Sequence, residues 1–258
     1  MKVSGKFYGV GVGPGEPGLL PLIAWETLKR CDLILVPRAK SLDYSAARRA
    51  LPPGEIPEDR FREVEFLMDS DRDVLRKHYA RLAQTLADEL KAGKNIVYLT
   101  LGDALTYSTY IYTLHALLNC VPDLQYRTFP GVTSYCALAA ATDWPLGEGK
   151  ERVLILPCPD DMTELKSAIE LHDVVVLMKI GKRLPDVLCL LNELGIASFC
   201  AYGHRVGMPE AVIQPDVSQL FETSQNGYLA TMLIRRQARV ERHLPVQADS
   251  TPTREALL

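Results

Sequence analysis

The stretch KFYGVGVGPGEPGLL, residues 6–20, begins as an apolar run and then places five glycines within ten positions, at 9, 11, 13, 15 and 18. The first six residues predict a β-strand, and the glycines predict a turn that leads into a helix. Such a turn is typical of a phosphate cradle, or of a place where a ligand or another chain segment approaches bare backbone. The residues between the glycines help to distinguish these two alternatives.

The turn is a poor match to phosphate-binding motifs. A dinucleotide-binding turn requires G-x-G-x-x-G, and only the register that starts at Gly13 ends on a glycine, Gly18. In that register Pro14 and Pro17 stiffen the turn and remove N–H groups that a phosphate would need. No Gly-Lys-Ser/Thr follows, which excludes a P-loop. We therefore expect close approach by a ligand or another chain segment; a simple strand-to-helix turn without a ligand is the alternative.

Composition and charge indicate a soluble globular protein. Of the 258 residues, 47% are hydrophobic and 24% are charged, and the formal net charge of −3 gives no reason to expect a nucleic-acid or membrane partner. No apolar run approaches the roughly 20 residues that cross a bilayer, and the first residues lack a signal-peptide pattern. The six cysteines and five histidines show no CxxC pair or zinc-like spacing. We expect a cytoplasmic protein with reduced thiols and no protein-bound metal.

Predicted strands and helices alternate along two successive stretches of the chain. This alternation predicts an α/β fold with two consecutive α/β domains, residues 1–129 and 130–240, followed by a polar tail at 241–258. The strands are predicted at 6–11, 32–36, 95–103, 124–129, 153–157, 173–180, 197–203, 210–214 and 227–236. The helices are predicted at 19–30, 71–92, 107–118, 136–142, 160–171 and 182–194, and residues 51–60 are predicted as a loop.

Three further loops resemble the glycine-rich turn because each follows a predicted strand with small or polar residues. They are LTLGDALTYST (99–109), FPGVTSY (129–135) and the end of VVVLMKI (174–180). Ligands of open α/β sheets gather at the carboxyl ends of strands, so these loops predict a shared site. The alternative for each is structural: helix caps for Asp103, Thr133 and Ser134, and core packing for Met178.

The combination of motifs resembles the tetrapyrrole (corrin and porphyrin) methyltransferase family, which uses S-adenosylmethionine. The motifs stand at 10–20, 102–103, 130–134 with 145–146, and 174–178. One departure is Ala104, where most members have proline, which changes the stiffness of that turn and leaves the Gly-Asp pair intact. The resemblance implies a cleft for cofactor and substrate between the two α/β domains, and a homodimer.

Three details within the family resemble the members that methylate the meso carbon C-20 of precorrin-2 or its cobalt form. They are LILVPRAK (33–40) with Ser45 and Ala46, GDALTYST (102–109), and residues 131–134 followed by LILP (154–157). The implied function is S-adenosylmethionine-dependent C-methyl transfer in cobalamin biosynthesis. A member with a different target carbon is the first alternative. A nucleotide-binding oxidoreductase is another, although Asp32 opens its strand instead of closing it, and a non-catalytic interaction domain is the third.

The resemblance also implies which residues form the site. Cofactor contacts are expected at Leu101, Gly102, Asp103, Thr106, Thr133, Ser134, Met178, Tyr202, Leu229 and Ala230. On the substrate side, Gly13, Pro14 and Gly15 are expected to form the cleft floor, where bare backbone would let a flat macrocycle approach. Tyr107 is expected to stack on the macrocycle, to orient the cofactor or to pack in the core.

Charged groups are expected to serve binding and proton transfer. The carboxylates of a tetrapyrrole favour basic partners, for which Arg38 and Lys40 are the best candidates and Arg48 a weaker one. Methyl transfer from a sulfonium mainly requires an in-line arrangement of donor and acceptor, so a weak base is sufficient. Asp103 and Lys179 are the candidate catalytic groups; Lys179 could instead pair with a substrate carboxylate.

Overall fold

Two five-stranded sheets follow each other along the chain, as the alternation of predicted elements indicated. The computed structural model describes residues 5–38, 45–67, 71–220 and 227–238. The first sheet contains β1 (Lys6–Gly11), β2 (Leu33–Arg38), β3 (Phe61–Glu65), β4 (Ile96–Thr100) and β5 (Gln125–Phe129), with helices α1 (Leu22–Arg30), α2 (Ala46–Arg49), α3 (Arg72–Lys91) and α4 (Tyr110–Cys120).

The first sheet is entirely parallel, in the order β3-β2-β4-β1-β5. Helices cover both of its faces: α3 and α4 pack on one core, which includes Phe7 and Tyr98, and α1 and α2 border the other, which includes Val10 and Leu99. All five residues of β4 are buried, because a strand with helices on both sides has no solvent face. This arrangement brings the carboxyl ends of β1, β4 and β2 to one edge.

The second sheet combines parallel and antiparallel strands in the order β6-β7-β10-β8-β9. Its strands are β6 (Val153–Pro157), β7 (Val174–Met178), β8 (Cys200–His204), β9 (Val212–Gln214) and β10 (Ala230–Arg235), and its helices are α5 (Ser134–Ala141), α6 (Met162–Leu171) and α7 (Leu184–Glu193). Strand β10, the last one that the structure describes, lies antiparallel between β7 and β8, and all six of its residues are buried. The carboxyl ends of β7 and β8 therefore share an edge with the start of β10.

An ion pair connects β10 to the segment before β6. Arg235, only 4% exposed, donates to both carboxylate oxygens of Glu151, at 2.6 and 3.1 Å, and to the carbonyl oxygen of Pro145 at 3.0 Å. Its guanidinium carbon also lies 4.9 Å from the centre of the Trp144 ring. The hydrogen bonds to Arg235 hold the pKa of Glu151 below its usual value. This contact fixes residues 144–151 against the second sheet.

Some sequence predictions need correction. Strand β3 and the short helix α2 were not predicted, because β3 is an edge strand in which only Val64 is buried. Helix α1 begins at Leu22, not at residue 19, because Pro21 occupies its N-cap. Helix α3 agrees closely with the prediction, and Gly93 follows it with a φ of 91°. No helix within the described ranges combines the length and hydrophobicity needed to cross a membrane.

Candidate functional site

A cavity of about 380 Å³ lies where the loops at the strand ends of the two sheets meet. We call it the central cavity. The lining residues lie at or after the carboxyl ends of all five strands of the first sheet and of β7 and β8 in the second sheet, together with residues around the start of β10. The lining residues are 14, 37, 45–47, 66, 100–103, 106–109, 133–134, 178–179, 181, 205–206, 208 and 227–231.

Three glycines bring three loops of the first half into backbone contact beside the cavity. A Cβ atom on Gly11 would lie 2.7 Å from both the Gly102 carbonyl oxygen and the Gly131 nitrogen, and one on Gly131 would lie 2.2 Å from the Gly102 oxygen. Gly13 and Gly102 exchange hydrogen bonds of 3.2 and 2.7 Å. Of the two possibilities left open by the sequence, Gly11 and Gly13 therefore serve the approach of another chain segment.

The rest of the glycine-rich turn packs on the loop that follows β8. A Cβ atom on Gly15 would lie 2.6 Å from Cγ of Met208, and one on Gly207 would lie 3.0 Å from Cγ of Pro14. Pro14 lines the central cavity, whereas Gly13 and Gly15 do not. The space beside these two glycines holds protein atoms, so the structure corrects the expectation of bare backbone open to a macrocycle there.

Asp103 joins two of the converging loops. Its Oδ1 accepts hydrogen bonds from the nitrogen atoms of Leu105 and Thr106, both at 2.9 Å, and from the Thr106 hydroxyl at 3.0 Å, while Oδ2 accepts from the nitrogen of Gly131 at 3.1 Å. Partial burial raises the pKa of Asp103, but these hydrogen bonds outweigh it and leave the pKa below its usual value. Such a carboxylate is a weak base, and its hydrogen bonds hold the loop at 103–106 against Gly131.

Residues with a left-handed backbone conformation are concentrated at the central cavity. Five non-glycine residues of the described chain have a positive φ, and four of them line the cavity: Tyr107 at 52°, Lys179 at 54°, Arg205 at 50° and Leu229 at 56°. Each such residue costs roughly 1–3 kcal/mol, and this kind of strain concentrates at functional sites. The clustering is a structural indication of function that does not depend on any sequence motif.

Two cations line the second-half wall of the central cavity. Lys179 is accessible to solvent, yet surrounding protein atoms partly desolvate its ammonium group and lower its pKa. Arg205 has a buried Nε atom with no hydrogen-bond acceptor among the described residues. Neither side chain is within 4 Å of a carboxylate that the structure describes. This wall is therefore electropositive.

Most of the predicted site residues are brought together. Ser134 and Thr231 share a 2.8 Å hydrogen bond between their hydroxyls, and Thr133 caps α5 by accepting from the Cys136 nitrogen. The Tyr107 hydroxyl donates to the carbonyl oxygen of Ile155 at 3.3 Å. The predicted residues that line the cavity are Pro14, Leu101, Gly102, Asp103, Thr106, Tyr107, Thr133, Ser134, Met178, Lys179, Leu229 and Ala230.

Other predicted residues lie elsewhere. Tyr202 is fully buried in the core beneath α6 and α7, and this burial raises its pKa to about 12. Arg38 forms a 2.8 Å ion pair with Glu63 of the unpredicted strand β3 and is not part of the cavity lining. Arg48 pairs with Glu58 at 2.6 Å. Lys40 lies outside the described residues.

Several lining residues were not predicted from the sequence, most importantly Arg205. It directly follows β8, so the criterion that identified Asp103 and Lys179, a polar residue at a strand end, also applies to it. Val206, Met208 and Phe66 were missed because apolar residues in loops carry no comparable signal. Within the described ranges, no group of three or more His, Cys, Asp or Glu side chains could hold a metal ion.

The sequence matches one known family model over most of its length. The model of Tetrapyrrole (Corrin/Porphyrin) Methylases matches residues 6–220. The chain is 29% identical over 239 residues to the cobalt-precorrin-2 C(20)-methyltransferase of Salmonella typhimurium, covering 91% of this chain and 98% of that protein. The matched residues include strands of both sheets.

Solved structures agree with the architecture. A cobalt precorrin-4 methyltransferase superimposes with a TM-score of 0.65 at 20% identity, covering 89% of this chain and 94% of that one. A uroporphyrin-III C-methyl transferase from Thermus thermophilus, complexed with S-adenosylhomocysteine, gives a TM-score of 0.56 at 21% identity, with coverages of 90% and 97%. At these identities the likeness concerns the fold.

Proposed function

Because the chain belongs to the tetrapyrrole (corrin/porphyrin) methylase family, we propose that it transfers a methyl group from S-adenosylmethionine to C-20 of precorrin-2 or cobalt-precorrin-2 in cobalamin biosynthesis. The observation that carries the proposal is that motif residues far apart in sequence, at 102–103, 106–109, 133–134 and 178, line one cavity. The near full-length similarity to a C(20)-methyltransferase supports the same target carbon. A family member with another target carbon is the second candidate.

The residues of the central cavity fit a methyl donor of this kind. Its lining combines apolar side chains such as Met178 and Leu229 with short hydroxyl side chains and backbone groups, which suits a purine and an aliphatic tail. The glycine-rich turn beside the cavity contains Pro14 and Pro17 and is not followed by Gly-Lys-Ser/Thr, so it lacks the phosphate-binding motif of a P-loop. When bound, S-adenosylmethionine supplies a methyl group activated by its sulfonium. We propose contacts at Leu101, Gly102, Asp103, Thr106, Thr133, Ser134, Met178, Leu229 and Ala230.

The chain's own residues have to orient the reactants and manage one proton. In-line methyl transfer requires the reacting atoms at about 3–3.5 Å, so positioning is the main task of the site. We propose that Asp103 serves it by holding the loop at 103–106 against Gly131. Lys179, with its lowered pKa, either takes the proton that leaves the methylated carbon or pairs with a substrate carboxylate.

Two variants of Lys179 separate these roles. Arginine keeps the positive charge but does not lose its proton near neutral pH, whereas methionine keeps the approximate volume and removes the charge. Carboxylate pairing predicts that Lys179→Arg keeps most of the activity and that Lys179→Met raises the KM for the tetrapyrrole. Proton transfer predicts that both variants lower kcat to a similar extent with little change in KM.

The decisive experiment for the function is an anaerobic assay with S-adenosylmethionine and precorrin-2, with and without cobalt, read by mass spectrometry and NMR. Gain of one methyl group at C-20 is the expected result, and the preferred substrate shows whether cobalt is inserted before this step. A methyl group at a different carbon would support the second candidate. If neither substrate gains a methyl group although the protein binds S-adenosylhomocysteine, precorrin-2 and cobalt-precorrin-2 are both rejected as substrates.

The resemblance to the family also motivates proposals about organisation. We propose that residues 1–129 and 130–240 form two domains, and that the protein is a cytoplasmic homodimer. Light scattering on the purified protein should give twice the mass of one chain, and a mass of one chain would reject the dimer.

A further inference from the structure

Arg205 occupies a fixed position on the wall of the central cavity. Its backbone has a φ of 50°, its nitrogen donates to the Leu229 carbonyl oxygen at 3.0 Å, and its own carbonyl accepts from the Met208 nitrogen at 3.0 Å. The loop that it begins is anchored further by the 3.0 Å ion pair between Glu210 and Arg49 of α2. The base of the side chain is therefore held by contacts to both halves of the chain.

The guanidinium of Arg205 lacks the partners that two other arginines with a buried Nε atom have. Arg235 and Arg236 also carry a buried Nε without an acceptor, but their terminal nitrogens reach Glu151 and Asp173. Arg205 has a buried, unbonded Nε and no carboxylate within 4 Å among the described residues. Arg205 is partly exposed and lines the cavity, so an anion carried by a ligand would supply the acceptor that its guanidinium lacks.

The neighbouring acidic groups are already engaged. Both carboxylate oxygens of Asp103, the acidic residue of the described lining, accept hydrogen bonds from its own loop and from Gly131. Glu210 is held by Arg49, and its pKa is lowered mainly by hydrogen bonds, with only a small contribution from the Arg205 charge. Burial and the Arg205 charge also lower the pKa of His204, which disfavours a second cation beside Arg205.

We propose that Arg205 binds a ligand carboxylate in the central cavity and thereby determines the orientation of that ligand. The proposal rests on the methyl-transfer function proposed above. Planar guanidinium groups bind carboxylates through two parallel hydrogen bonds, which fixes orientation as well as charge. Under this function the carboxylate belongs either to the tetrapyrrole side chains or to the methionyl part of the cofactor, and the two sources are separable by experiment.

The test compares Arg205→Gln and Arg205→Lys with Arg81→Gln, an exposed arginine on α3 that serves as the matched control. Calorimetry measures the Kd for S-adenosylhomocysteine, and fluorescence titration measures the Kd for uroporphyrin and its methyl ester. We expect Arg205→Gln to weaken one of the two carboxylated ligands at least tenfold, Arg205→Lys to have an intermediate effect, and Arg81→Gln to have none. The ligand that is weakened identifies the source of the carboxylate.

Two further readouts separate binding from structure. If Arg205 binds the tetrapyrrole, the wild-type protein should prefer uroporphyrin over its ester and Arg205→Gln should lose this preference; a purely structural arginine would leave it intact. The melting temperature of Arg205→Gln without ligand should change little, because the variant breaks no side-chain hydrogen bond or ion pair of Arg205 among the described residues. Unchanged Kd values for both carboxylated ligands in folded Arg205→Gln, or in Arg205→Lys if the first variant does not fold, would overturn the inference. The binding measurements do not depend on the methylation assay, so the role of Arg205 can be tested even if no methylation at C-20 is found.

Discussion

Replacing Gly131 with alanine tests the convergence of the three loops directly. The new Cβ atom would lie 2.2 Å from the Gly102 carbonyl oxygen and 2.6 and 2.7 Å from the Gly11 carbonyl carbon and oxygen. Ordinary contact begins at 3.4 Å, so the Gly102 carbonyl has to retreat by 1.2 Å (3.4 − 2.2). All three atoms belong to the backbone, and Gly102 is tied to Gly13 by two hydrogen bonds. No side-chain rotation can relieve this overlap.

The magnitude follows from the number of backbone atoms that must move. Overpacking in a well-packed region costs about 1–3 kcal/mol, and we expect the upper end for Gly131→Ala. At about 2–4 °C per kcal/mol for a chain of this size, the melting temperature should fall by about 6–12 °C. The cavity wall at residues 102–109 moves with Gly102, and a misplacement of about 1 Å can lower a catalytic rate about 100-fold.

Urea unfolding measures the stability change, and the methyl-transfer assay measures the rate. Gly147→Ala is the matched control, because its Cβ atom would meet only Cγ2 of Val153, at 2.9 Å, the end of an exposed side chain. We expect a change in the free energy of unfolding below about 0.5 kcal/mol for this control. An equal loss of stability in the two variants, or an unchanged Gly131→Ala protein, would refute the reasoning.

Three other predictions concern charged groups. Glu151→Gln should lower the free energy of unfolding by about 3 kcal/mol, because it leaves the buried Arg235 charge unpaired. Because the pKa of Glu151 is lowered in the folded protein, the stabilisation by this carboxylate is complete above pH 4.5 and is lost as the pH falls further. Urea unfolding curves of the variant and the wild type should therefore converge in acid. Asp103→Asn should cost about 1.5–3 kcal/mol by the same assay, because one of its amide hydrogens would face a backbone N–H; a stable variant would contradict the structural role. Lys179→Met should be at least as stable as the wild type at pH 7, because desolvation lowers the Lys179 pKa from 10.5 and so destabilises the charged form in the folded protein. Thermal melts should show that the difference in melting temperature between the variant and the wild type shrinks as the pH approaches 10.5.

The strand–helix alternation and twelve of the 27 cavity-lining residues could be predicted, because apolar periodicity and strand-end position are properties of local sequence. The role of Arg38 depended on a neighbour that local sequence did not reveal. Strand β3 buries only Val64, so it lacks a clear pattern, and without it the pairing of Arg38 with Glu63 could not be foreseen. The alternation of side chains along β8 directs Tyr202 into the helix-side core, which a family motif alone does not specify.

The four cavity residues with a positive φ show a second limit of prediction from sequence. Glycine and asparagine are the usual sequence signals for a positive φ, and none of the four residues at the cavity belongs to either type. Their conformations come from contacts that are distant in sequence, such as the hydrogen bond from the Arg205 nitrogen to Leu229. Strain of this kind is imposed by the completed fold, so it becomes visible only in three dimensions.

The central place of β10 has a consequence for how the protein is made on the ribosome. All strands of the first sheet are complete at Phe129, whereas the middle strand of the second sheet ends at Arg235, which is 106 residues later (235 − 129). At about 5–20 residues per second, synthesis of this interval takes roughly 5–20 s. In the later part of this interval, after β7 and β8 have been made and before β10 is complete, each of them has an unpaired edge, which favours aggregation and binding by chaperones. A nonsense mutation between residues 215 and 230 would leave the pairs β6–β7 and β8–β9 without the strand that joins them.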